Sequence, residues 1–158
     1  MNRSILISLL LILIASISTF AQKPYIADDF DINGVKLGSM VTDSNLESKL
    51  GAPSRVEIGS IPGYLVYYYG ESSIGVENGE VIAISVRDSK FPVMTYIFEG
   101  GIRVGDNAEE VKAKILQNTR SIITETSRGF KAGNYDDNVH FRVSNGEITE
   151  ISYDNFDI

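Results

Sequence analysis

Asp29-Phe30-Asp31-Ile32-Asn33-Gly34 reads D-x-D-x-N-G, the first half of a calcium loop. Oxygen ligands at alternate positions around a Gly turn suit a hard cation. A complete loop closes with a bidentate Glu at its twelfth position, where this chain has Met40, so the stretch is expected to be a polar turn and no metal site. Adjacent acids recur in Tyr135–Asn138 and Asp154–Asp157, a pattern of solvated turns rather than of converging catalytic carboxylates. His140 is the one histidine, two residues from Arg142, and no G-x-S-x-G frames a serine for it to activate. Catalysis by His140 and a carboxylate is therefore the weakest of three functional readings, and the chain is expected to be no enzyme, with no catalytic residue and no cofactor. The stretch with most pull toward function is Tyr64-Leu65-Val66-Tyr67-Tyr68-Tyr69. In a strand Tyr64 and Tyr68 share one face, and Tyr67 and Tyr69 the other. The ambiguous turn at 70–72 leaves open which pair faces out. Tyrosine is favoured at protein-binding surfaces because it joins apolar area to a hydroxyl.

Composition narrows the classes further. The chain of 158 residues has formal net charge -7 and no cysteine. Acidity without a basic cluster argues against nucleic-acid and anionic-membrane partners. Lack of cysteine excludes disulfides, thiolate metal sites and a lipid-bearing Cys. Arg3, an apolar run from Ile5 to Ile17 and the small-x-small end Thr19-Phe20-Ala21 read as a signal peptide over residues 1–21. That run is too short to span a bilayer. The expectation is an exported chain, periplasmic or extracellular, with no stable membrane insertion after cleavage.

The elements that position these residues repeat. Val76-Glu-Asn-Gly-Glu-Val-Ile-Ala-Ile-Ser returns 67 residues later as Val143-Ser-Asn-Gly-Glu-Ile-Thr-Glu-Ile-Ser. At the same offset Gly34–Gly38 (GVKLG) lies on Gly101–Gly105 (GIRVG). Each is followed by a short helical pattern, with Leu46 and Leu50, or Val111 and Ile115, four residues apart on one face. Thr42 or Asp43, and Asp106 or Asn107, are the candidate caps. β-type runs follow each helix: 55–58, 64–69, 72–76 and 81–86, then 121–126, 130–135, 139–143 and 147–153. Tyr25–Ile32 and the joining run Phe91–Phe98 also read as extended. Three-residue loops, Glu77-Asn78-Gly79 and Ser144-Asn145-Gly146, would place Ile74, Val76, Ile82, Ile84 and Val86 on one face, and Val139, Phe141, Val143, Thr149, Ile151 and Tyr153 on the other copy's equivalent. The predicted fold is α+β: two tandem helix-plus-antiparallel-meander units, helices on one face of the sheet. Residues 22–98 form the first unit with its leading strand and connector, and 99–158 the second.

GVKLG, LESKLGAP, YYYG and VENGEVIAISV, with GIRVG, EEVKAKIL and VSNGEITEISY, resemble the unit of the SmpA/OmlA (BamE-like) proteins, and the tandem pair resembles the fold of the β-lactamase inhibitor protein. The resemblance implies a helix-backed sheet that binds other proteins, in envelope assembly or as an inhibitor. The chain departs from both in lacking the lipid-bearing Cys and the disulfides. The leading functional expectation is a non-enzymatic module that holds another protein or peptide on the helix-free sheet face, with Tyr67, Tyr69, Arg87, His140 and Arg142 as candidate contacts. The alternative is an inhibitor of an extracellular or periplasmic hydrolase, acting through the loop Gly59–Gly63 (GSIPG).

Overall fold

Asn-Gly turns set the local geometry. Asn33-Gly34, Asn78-Gly79 and Asn145-Gly146 all have positive φ at both residues (50° and 79°, 50° and 89°, 54° and 84°). That pair of angles makes a two-residue hairpin loop whose twist matches the flanking strands. The first such hairpin joins β1 (Asp31–Ile32) to β2 (Val35–Lys36). The second joins β5 (Ser72–Glu77) to β6 (Glu80–Val86), and the third β9 (Asn138–Ser144) to β10 (Glu147–Asp154). The computed structural model of the chain describes residues 23–93 and 98–154. The expected signal peptide, the middle of the joining run Phe91–Phe98 and most of Asp154–Asp157 lie outside the described residues.

The three-residue loops predicted from sequence are corrected by these turns. Glu77 pairs with Glu80 and Val76 with Val81, after which the register shifts so that Gly75 meets Ala83 and Ile74 meets Ile84. A bulge at Ile82 therefore does the phasing that the longer loop was expected to do. The other hairpin shifts likewise between Ile148 and Glu150, across Thr149. Val81 and Ile148 are consequently buried, where Ile82 and Thr149 had been assigned. The cause lies in the segments ahead of the helices. Val81 N–H donates to Ser39 C=O (3.0 Å) and its C=O accepts from Gly38 N–H (2.7 Å). Ile148 does the same with Asp106 (2.9 Å) and Gly105 (2.8 Å). Those backbone groups are thus spent on GVKLG and GIRVG, not on the neighbouring strand.

Two α-helices follow these segments. α1 (Asp43–Leu50) is capped by Thr42, whose Oγ1 accepts from Asn45 N–H, and ends at Gly51. α2 (Ala108–Asn118) is capped by Asn107, whose Oδ1 accepts from the Glu109 and Glu110 N–H groups. Leu46 from α1 and Ala108, Val111 and Ile115 from α2 are buried.

The expected fold of two tandem helix-plus-meander units is corrected as well. The strands β3 (Arg55–Ile58), β4 (Tyr64–Tyr69), β5, β6, β7 (Ile122–Thr126), β8 (Gly129–Gly133), β9 and β10 form one eight-stranded antiparallel sheet, in the order β3-β4-β5-β6-β10-β9-β8-β7. β6 and β10 pair at its centre, Val86 with Ile151, Ser85 with Ser152 and Ile84 with Tyr153. Left separate, each would present an unpaired edge of buried-type residues, which is costly and prone to mispairing. Pairing them makes one sheet and one core. The small two-stranded β1-β2 sheet stands apart from it.

All the described core residues fall in a single cluster that includes both helices and the leading segment. Tyr25–Ile32, expected to be extended, is instead a 3₁₀ turn at Ala27–Asp29 running into β1. Ile26, Phe30, Ile32 and Val35 from this region are buried. Phe30 meets Tyr153 edge to face at 5.5 Å. Asp31 turns its carboxylate inward, where Oδ1 accepts from Gly34 N–H (2.9 Å). The calcium-like motif is thus a hairpin turn. Among the described residues no cluster of three His, Asp or Glu side chains is placed to hold a metal ion.

Candidate functional site

Alternation divides the sheet into a face packed under the helices and a face with no helix over it. Tyr67 and Tyr69 fall on the packed face, at 5% and 4% exposure. Tyr67 pairs with Ile74 across the strands, and Tyr69 with Ser72. The Tyr67 hydroxyl donates to Asp43 Oδ1 at 2.6 Å, in the first turn of α1. Burial and that carboxylate push its pKa up to about 12. Burial likewise raises Tyr69, which packs edge-on against Phe91 at 6.2 Å. Both side chains hold the helix to the sheet and are not reachable by a partner. The other three residues singled out from sequence, Arg87, His140 and Arg142, lie on the helix-free face.

The tyrosines that do face away from the helices are Tyr64 and Tyr68. The signal that places them is Tyr69-Gly70-Glu71-Ser72, a two-residue turn with Gly70 at φ 69°. Gly at the first central position with positive φ is a hairpin turn. It pairs Tyr67 with Ile74 and so forces Tyr67 inward.

Across the middle of the helix-free face runs the row Tyr68, Ser73, Ser85, Ser152, His140 and Lys131. Arg55 extends it at one edge, its guanidinium 4.0 Å over the Tyr68 ring. Three serines at the centre with long side chains on either flank make a depression. With Gly75 and Ala83 they floor a concavity of about 390 Å³, walled by Tyr64 and Tyr68 on one side and by Arg87 and Arg142 on another. Gly75 is essential to this shape. A Cβ there would stand 2.6 Å from the Tyr64 hydroxyl. Tyr64 thus lies across the strand where a side chain would otherwise rise.

One end of the concavity carries its charge. Glu150 Oε2 sits 3.2 Å from Arg87 Nη2 and 3.2 Å from Arg142 Nε, while Oε1 accepts from the Ser85 hydroxyl at 3.1 Å. The glutamate side chain is 10% exposed and the arginines 47% and 52%. The carboxylate is therefore inside, and the cations form its lid, tying β6 and β9 to β10. Three charges leave a local +1, with Lys131 and His140 along the same face and Glu71 at the rim. In a chain of net charge -7 this is a concentrated exception.

Acid–base chemistry gains no support from the arrangement. His140 is exposed and, among the described residues, makes no hydrogen bond or ion pair. The acids at 135–138 form a turn in which Asn134 Oδ1 accepts from the Asp136 and Asp137 N–H groups. The Gly59–Gly63 loop is tight: Gly59 N–H donates to Tyr64 C=O (2.9 Å), and Gly63 C=O accepts from Asn78 N–H (2.9 Å).

No family model and no curated protein matches the chain. Among solved structures it is similar to an extracellular protein containing a SCP domain from Bacillus anthracis, at 18% identity and TM-score 0.49, over 75% of this chain and 44% of that one. It is also similar to a cysteine-rich secretory protein from Staphylococcus aureus, at 13% identity and TM-score 0.48, over 85% and 47%. The chain spans less than half of either structure. The resemblance to SmpA/OmlA units and to the β-lactamase inhibitor protein is corrected here: no family model matches, and the strands form one eight-stranded sheet in place of two tandem units. Short motifs such as GVKLG and VENGEVIAISV report hairpin and cap chemistry, which unrelated chains reach independently. The likenesses found are distant enough that the functional reading is built on the site alone. Among the described residues no helix is long and apolar enough to cross a membrane.

Proposed function

We propose that the chain is an exported, non-enzymatic binding module that seats a segment of another protein in the concavity of its helix-free face. The supporting observation is the small-residue floor of Ser73, Gly75, Ala83, Ser85 and Ser152 beneath a rim of aromatic and arginine side chains. Sheet faces left uncovered in a solvated protein are usually lined by long charged side chains. Here small side chains keep a channel open, and tyrosine and arginine, both favoured in interface cores, surround it. Export rests on the leader pattern in residues 1–21. Whether the protein works in a periplasm or outside the cell follows from the identity of its partner.

The test is a photo-crosslinking side chain at Ser152, with the full chain expressed in a host that exports it. A discrete adduct is expected, and Ser73→Trp, which fills the floor from two strands away, should abolish it. An adduct pattern indifferent to Ser73→Trp removes the channel from the function. Inhibition of a hydrolase is the second reading. It is favoured by one observation, the tight, exposed Gly59–Gly63 loop with Ile61 projecting from it. It predicts that Ile61→Ala, and not Ser73→Trp, weakens the complex.

A further inference from the structure

The outermost strand on one side, β3, alternates charged and apolar side chains, and its apolar pair is left uncovered. Val56 and Ile58 point to the helix side of the sheet but are 47% and 85% exposed. The opposite edge is better covered: Lys112 of α2 reaches Glu125 of β7 at 2.6 Å. Natural edge strands are blunted by charge, proline or cover, because their free N–H and C=O groups accept another strand.

The register says which groups are free. Arg55 pairs with Tyr68, Val56 with Tyr67, Glu57 with Val66 and Ile58 with Leu65. Gly59 N–H donates to Tyr64 C=O, which places Gly59, Glu57 and Arg55 as residues bonded to β4; Ser54 also turns to β4, its N–H donating to Tyr68 C=O (2.8 Å). Val56 and Ile58 therefore turn their backbone groups outward. Both outward side chains on this edge are branched and apolar, a match to strand addition.

We infer that β3 pairs antiparallel with β3 of a second copy, about a two-fold axis through Val56. In that register Val56 bonds to Val56 of the second copy through both backbone groups. On the helix-free face Arg55 stands opposite Glu57 of the second copy, and Glu57 opposite its Arg55. Arg55 and Glu57 already lie 3.2 Å apart within one chain. Pairing closes them into a four-charge ring without rearrangement. It is this self-complementarity, opposite charges two residues apart about a centre with free backbone groups, that selects a copy of the same chain over an arbitrary strand. A strand this short makes an interface at the small end of the range, so the dimer is expected to form at tens of micromolar and above.

Charge reversal tests it on the full chain recovered after export. Sedimentation velocity should show a concentration-dependent dimer for the natural sequence. Arg55→Glu places four like charges at the axis and Glu57→Arg four of the other sign, so each alone should weaken self-association at least ten-fold. Mixed one to one, they should recover it as a heterodimer. The chain has no cysteine. Val56→Cys should therefore give a disulfide-linked dimer under mild oxidation, whereas Ile122→Cys on the opposite edge should not. A monomer up to about 1 mM, the weak limit for such an interface, overturns the inference. Variants that associate as the natural chain does, a mixture that fails to recover the dimer, or equal crosslinking at both edges also overturn it. Circular dichroism of each variant separates misfolding from lost pairing.

Discussion

Removing the cations that cover Glu150 should cost far more than removing Glu150 itself. The glutamate side chain is 10% exposed, and both arginines are about half in water. In Glu150→Gln the arginines lose a charged acceptor but keep their hydration, and Ser85 keeps a carbonyl to donate to. About 1–2 kcal/mol is expected, the scale of weakened charge-assisted bonds. In Arg87→Ala/Arg142→Ala the carboxylate stays inside with only the Ser85 hydroxyl, and a stranded charge costs about 3–5 kcal/mol. With a urea slope of about 2 kcal/mol/M, the midpoint of the double variant should fall by roughly 2 M. A triple variant that adds Glu150→Gln to the double separates this from lost packing, because it removes the stranded charge and should recover most of the loss. No recovery in the triple variant, or a Glu150→Gln loss equal to the double variant's, would refute a desolvated carboxylate held by its lid.

Tyr67 and Tyr153 both have pKa raised to about 12 by burial and by a neighbouring Asp. Their contribution is complete below pH 10 and lost as pH rises from about 10 to 12. Alkaline unfolding followed by tyrosinate absorbance should show this, and Tyr67→Phe should shift the transition upward in pH. Gly146 has φ 84° and nothing near its missing side chain, so Gly146→Ala should cost about 1 kcal/mol from backbone strain alone. Gly129→Ala would place a Cβ 2.1 Å from the Phe141 carbonyl oxygen and should cost several times more in urea denaturation. Asn107→Ala, which removes the acceptor for two N–H groups at the start of α2, should lower stability by about 1 kcal/mol in a thermal melt.

Short-range chemistry was the legible part. Thr42 or Asp43, and Asp106 or Asn107, announce helix starts, and the apolar alternation from Ile74 to Val86 announces a hairpin with one packed face. His140 and Arg142 were placed on the open face by the same counting. What failed was set by partners remote in the chain. The bulges at Ile82 and Thr149 exist because Gly38–Ser39 and Gly105–Asp106 claim the backbone of Val81 and Ile148. A period-two pattern carries no trace of that competition. Glu150 passed unnoticed because an acid between Thr149 and Ile151 reads as a solvent-side residue. Its burial depends on Arg87, just past β6, and Arg142 of β9. Tyr67 and Tyr69 were misplaced for a local reason: Gly70-Glu71 was not read as a two-residue turn. The joining of all eight strands into one sheet could not be read from either half, since the residues pairing β6 with β10 are 65 to 71 apart.

β10 follows every other described element along the chain, yet it lies between β6 and β9 in the sheet. Until it arrives, the Val81–Val86 stretch has an open flank rich in β-branched residues, the composition that seeds cross-β aggregates. A chain that emerges from its N-terminus must therefore wait, with β6 and β9 unjoined, for β10. Contacts this distant in sequence make the last closure slow. If the chain is exported as proposed above, that delay would keep it from locking up before translocation, and would leave a sticky intermediate for a holdase to shield afterwards.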